Sequence, residues 1–118
     1  ENGKAGLAQN LQNGIGFGSS EYIVLRATDK ILPKWIYLNI ITDNFRKIGK
    51  ERMTGTGGLQ RVPKDFVGSF KIPLPRLDIQ NQVIKGIDAE LNSIKINKNL
   101  ILRYEQKIKD RIAKVWGE

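Results

Sequence analysis

Between Asp78 and Trp116, apolar residues recur alternately three and four positions apart: Ile84, Ile87, Leu91, Ile94, Ile101, Ile108, Ile112 and Val115, with Lys98 and Glu105 filling the two remaining places in the stripe. A strand cannot use that spacing, because its side chains alternate faces every second residue; a helix with a coiled-coil seam can. The pattern predicts one unbroken helix from Asp78 to Trp116, roughly 58 Å long at about 1.5 Å per residue. A domain built from residues 1–77 could not cover that length, so these eight aliphatic residues are expected to pair with another helix. In a parallel two-stranded coil Lys98 would face its own copy, which favours an antiparallel partner.

Residues 1–77 read differently. Ala5–Gln9 and the continuous run Tyr22-Ile23-Val24-Leu25 have the length and composition of strands, the second expected to be covered on both faces. Gln12-Asn13-Gly14 supplies a tight turn. Trp35, Leu38, Ile41, Phe45 and Ile48 then recur at helical spacing, which predicts a helix entered at Pro33 and stopped by Gly49. Thr54-Gly55-Thr56-Gly57-Gly58 is an exposed loop, and Phe70 to Pro75, with two prolines, is an edge strand or an extended connector. Asp78 is the expected N-cap of the long helix. The predicted fold class is α+β: a small mixed domain with short strands and a packed helix over 1–77, followed by a coiled-coil helix over 78–118. A single core becomes marginal near about 70–80 residues, and the chain opens without Met, so further sequence is expected before Glu1.

Twenty Lys and Arg against twelve Asp and Glu give a net charge of +8, which favours a polyanionic partner. The excess is uneven. Within residues 46–64, Arg46, Lys47, Lys50, Arg52, Arg61 and Lys64 are opposed only by Glu51, a candidate phosphate-contacting surface. The plainer reading is a solvated basic face, and part of it also complements a helix C-terminus, where cations offset the dipole. Thr54, Thr56, Gln60 and Arg61 add groups that match base edges: Arg pairs with guanine, Gln with adenine, and Thr offers a hydroxyl and a methyl. On residue chemistry alone this loop is equally a reader of bases or a mobile connector.

Several classes are excluded. Cysteine and histidine are both absent, so disulfides and thiol chemistry are ruled out and a zinc site is not expected. Neither glycine-rich stretch matches a nucleotide fingerprint, and Glu21, Asp29, Asp43 and Asp65 form no recognisable catalytic constellation. The chain is expected to need no cofactor or metal and to catalyse nothing alone. No apolar run is long enough to cross a membrane and no leader is visible, so a cytoplasmic address is expected.

Taken in order, Gly16 to Ala27 (GFGSSEYIVLRA), Met53 to Pro63 (MTGTGGLQRVP) and Ile72 to Ile84 (IPLPRLDIQNQVI), with the long helix after them, resemble the specificity subunit of type I restriction-modification enzymes. The match is to the second half of a target-recognition domain followed by a conserved-region helix. Two positions depart from the family's pattern: Arg76 stands where a second proline is usual, and Ile79 where an acidic residue precedes the glutamine; Gln80 is retained. The resemblance implies a non-catalytic subunit that recognises double-stranded DNA. In it, antiparallel helices hold two recognition domains apart and dock adenine methyltransferase subunits. Residues 1–77 would then be the partial recognition domain and 78–118 the spacer helix, which in isolation could pair with a second copy. Two alternatives remain: an assembly module whose basic charge is incidental, and the recognition tail of a fused adenine methyltransferase.

Overall fold

The computed structural model describes residues 3–117. Its elements in chain order are a 3-10 turn (Gln12–Gly14), α1 (Pro33–Ile40), α2 (Asp43–Glu51), a second 3-10 turn (Gly57–Leu59), α3 (Lys64–Ser69) and α4 (Leu77–Trp116). They divide into two compact units, Glu1–Asn81 and Gln82–Glu118.

The α+β expectation is overturned. Among the described residues helix accounts for 60% and strand for 2%, with no sheet; the only ladder-type pairing among them is an isolated antiparallel bridge between Thr54 and Arg61. Ala5–Gln9 and Tyr22–Leu25 are therefore not strands, and the Phe70–Pro75 segment is a connector rather than an edge strand. A β-branched run has the right side chains for a strand, but a strand is stable only when its N–H and C=O groups pair with a neighbour. Among the described residues no segment pairs with it as a strand, and Tyr22 and Val24 are exposed where two-sided cover was expected.

The single helix expected from Pro33 to Ile48 is two. Pro33 does occupy the first turn of α1, where its missing N–H costs nothing. At the other end Thr42 intervenes: its hydroxyl donates to Asn39 O at 2.7 Å and accepts from Phe45 N at 3.3 Å. The same side chain thus closes α1 and caps α2, which turns the chain between two helices of similar composition. Gly49 does not stop the helix; it lies inside α2 and is buried. A methyl group there would come within 3.3 Å of Phe66, so the missing side chain lets α3 approach. Phe45, Phe66 and Phe70 complete this contact, with ring centroids 4.8–5.7 Å apart and two of the three pairs edge-on, a favoured aromatic geometry.

A polar side chain sits at the centre of the first unit. Gln80 has no exposed surface. Its Oε1 accepts from Leu32 N at 2.9 Å, while Nε2 donates to Lys30 O at 3.0 Å and to Pro75 O at 2.7 Å. One amide therefore ties the start of α4 to the segment entering α1 and to the proline connector. Nearby, Trp35 Nε1 donates to Pro73 O at 2.8 Å. The prolines remove N–H donors from this connector, and its carbonyls are met by side chains instead of a sheet.

The long helix appears as expected, beginning at Leu77, so Asp78 lies in its first turn rather than at its cap. There it pairs with Arg76 at 3.3 Å. Along the seam Ile84 is buried and Ile87 half-buried, but Leu91, Ile94, Ile101, Ile108, Ile112 and Val115 are exposed. No helix among the described residues is long and apolar enough to cross a membrane.

Candidate nucleic-acid interface

α2 is two-faced. Successive helical residues turn by about 100°, so Phe45, Ile48 and Gly49 share the side turned to α3, and Arg46, Lys47 and Lys50 fall on the opposite side. All three cations are exposed. Arg46 is partly engaged, donating from Nη2 to Gly3 O at 3.0 Å. The basic cluster is thus a consequence of amphipathic packing, with charge placed where the aromatic contact is not.

The chain carries exposed cations on from α2 toward the loop, with Glu51 the one acidic residue between them. Arg52 follows the last turn of α2, and its backbone N–H closes on Ile48 O and Gly49 O. The chain then enters a hairpin-like loop pinned at its base by two backbone bonds of 2.9 Å between Thr54 and Arg61. Gly55 (φ +115°) and Gly57 (φ +61°) adopt conformations that L side chains rarely take. A methyl group at Gly55 would meet Leu59 O at 2.8 Å, so the tight crossing requires glycine there. The backbone pairing at its base makes the loop more than a loose connector.

Thr54, Thr56, Gln60 and Arg61 are all exposed along this loop, and Lys64 opens α3 just beyond it. The structure gathers Thr54 and Arg61 as direct neighbours across the base. Gln60 and Thr56 flank the 3-10 turn between them. Arg61 has a partner that its sequence neighbourhood does not reveal: its Nε donates to Oε2 of Glu21. Glu21 is positioned by a turn in which Ser19 Oγ accepts from Glu21 N at 3.2 Å and Ser19 O from Tyr22 N at 3.1 Å. With the two forty positions apart in the chain, no local signal could have joined Glu21 to Arg61. Gln80 was foreseeable: the aliphatic stripe extended back four residues from Ile84 falls on it.

Among the described residues no group of three or more carboxylates, histidines or cysteines is placed to hold a metal ion. What the surface offers is positive charge, planar hydrogen-bonding groups and a loop of fixed backbone. These suit a duplex, whose phosphates bind cations and whose base edges accept paired hydrogen bonds.

Comparison with known proteins points the same way. The family model for the type I restriction modification DNA specificity domain matches residues 2–106. The chain is similar to the type I restriction enzyme EcoAI specificity subunit of Escherichia coli, 42% identical over 85 residues, which are 71% of this chain and 14% of that protein. It is also similar to the EcoEI specificity subunit of Escherichia coli, 34% identical over 85 residues, with the same shares covered. The matched part is thus a small fraction of the length of these relatives. No solved structure matches the chain.

Proposed function

The chain belongs to the type I restriction modification DNA specificity family, and from that premise we propose that residues 1–77 read double-stranded DNA while residues 78–118 form a spacer arm. It is a DNA-specificity domain and not a catalytic one. The observation that carries the reading is that the exposed basic face of α2 is followed directly in the chain by an exposed polar loop closed by the Thr54–Arg61 bridge. Arg46, Lys47, Lys50, Arg52 and Lys64 hold the phosphates, which sets register; Thr54, Thr56, Gln60 and Arg61 approach the bases, which sets preference.

The exposed aliphatic seam supports the second half of the proposal. It pairs with an antiparallel helix and offers a platform to adenine methyltransferase subunits, or to a second copy of the chain when that helix is lacking. The work takes place in the cytoplasm, where the DNA is.

Two measurements test the reading of DNA. Binding to a duplex should weaken with salt, log K falling against log salt with a slope of about −4.5 if the five phosphate-holding cations all meet phosphates. Lys47→Ala or Lys50→Ala should weaken all sequences alike and reduce that slope by about 1. A salt-independent affinity, or no binding at low salt in a mobility assay, would leave an assembly arm with incidental charge.

Selection from a randomised duplex library tests the loop separately. Gln60→Ala and Arg61→Ala should each relax preference at one base pair, by about 1–3 kcal/mol of discrimination. Unchanged preference in both variants removes the loop from the reading role.

A further inference from the structure

We propose that Glu21 is a specificity-determining positioning residue, whose carboxylate holds the Arg61 guanidinium so that its terminal nitrogens face a guanine. This rests on the reading of the Thr54–Arg61 loop as the base-contacting element. Both side chains are more than half exposed, and an ion pair in such a setting adds little to fold stability. Its consequence is geometric. The contact takes up Nε, which leaves Nη1 and Nη2 as the two-pronged end of the group that fits guanine O6 and N7.

Each partner is fixed from its own side. The backbone of Arg61 is held by the bridge to Thr54, and Glu21 stands on the Ser19 turn. A long side chain anchored at its backbone and again at Nε has few rotamers left, so little ordering is needed when a base is met. The carboxylate also offsets the charge that would otherwise draw Arg61 to any nearby phosphate. Glu21 thus favours base contact over indiscriminate backbone contact, which is specificity by exclusion as well as by fit.

The test is selection of duplexes from a randomised library by the full chain and by its Arg61→Ala, Glu21→Ala and Glu21→Gln variants. Circular dichroism of each variant confirms that the helices are retained. Arg61→Ala and Glu21→Ala should lose discrimination at the same base pair, about tenfold, and Glu21→Ala should also bind unselected duplex more tightly. Glu21→Gln keeps an acceptor for Nε and should restore most of the preference. If Arg61→Ala loses discrimination and Glu21→Ala does not, the positioning role is overturned and the loop still reads DNA. If neither changes the preference of a chain that selects its site, both the loop reading and the role of Glu21 are overturned. A chain that selects no sequence overturns the DNA-reading proposal itself, and the role of Glu21 with it.

Discussion

Replacing Gln80 by Ala should destabilise the first unit by about 3 kcal/mol, read as a lowered midpoint in denaturant and loss of hydrogen-exchange protection at the Leu32 amide. The side chain makes three hydrogen bonds, all to backbone groups. Its removal leaves Leu32 N and the carbonyls of Lys30 and Pro75 without this partner, and each of these part-buried hydrogen bonds lost costs about 0.5–1.5 kcal/mol. Gln80→Leu fills the volume but should fare little better, because the backbone groups remain unpaired. Gln80→Glu retains an acceptor for Leu32 but has no amide donors for the two carbonyls. A midpoint within error of the parent for all three variants would show that this anchor is dispensable. The expected effect is large because so little else is buried: among the described residues only Gly49, Gln80 and Ile84 are.

The same scarcity explains where sequence patterns succeed and fail in this chain. The three-four stripe of α4 repeats over many turns and has no competing reading, so the helix is found with its start displaced by a single residue. Pro33 likewise marks the opening of α1. Between α1 and α2 the apolar spacing continues across the junction, whereas Thr42 switches its hydroxyl from one helix to the next. Thr42-Asp43 is a legitimate helix-start signal, and periodicity alone outweighs it wrongly. The strands fail for another reason. Tyr22 to Leu25 is β-prone by composition, but pairing is non-local, and β-propensity reflects fit to a neighbouring surface more than a preference of the backbone.

For the interface, the cations and polar loop residues could be listed from the sequence, but their arrangement could not. That Arg46, Lys47 and Lys50 oppose the aromatic face follows once α2 begins at Asp43. The bridge between Thr54 and Arg61, and the hold of Glu21 on Arg61, come from tertiary placement. A glycine-rich loop looks flexible as a string of residues. Here its glycines serve a fixed crossing, with Gly55 against Leu59 O.

The second large effect is expected on α4. The chain should self-associate at high concentration, and Ile101→Asp with Ile108→Asp should raise its dissociation constant on the order of a thousandfold, measured by sedimentation equilibrium. Both isoleucines are more than half exposed. Covering the rest of each yields about 1 kcal/mol. Four such side chains in a pair of helices contribute about 4 kcal/mol, or close to three decades in affinity. Charge exchange tests the direction of pairing. Lys98 and Glu105 lie seven residues apart on the seam, so a two-fold axis near Ile101 and Leu102 brings Lys98 of one helix level with Glu105 of an antiparallel partner. Lys98→Glu should then weaken association, and Lys98→Glu with Glu105→Lys should restore it. In a parallel, in-register pair each residue meets its own copy, so Lys98→Glu exchanges one like-charge contact for another and the second substitution rescues nothing. A monomer at every concentration would mean that the seam is kept for a different helix, as a spacer within a larger specificity subunit requires.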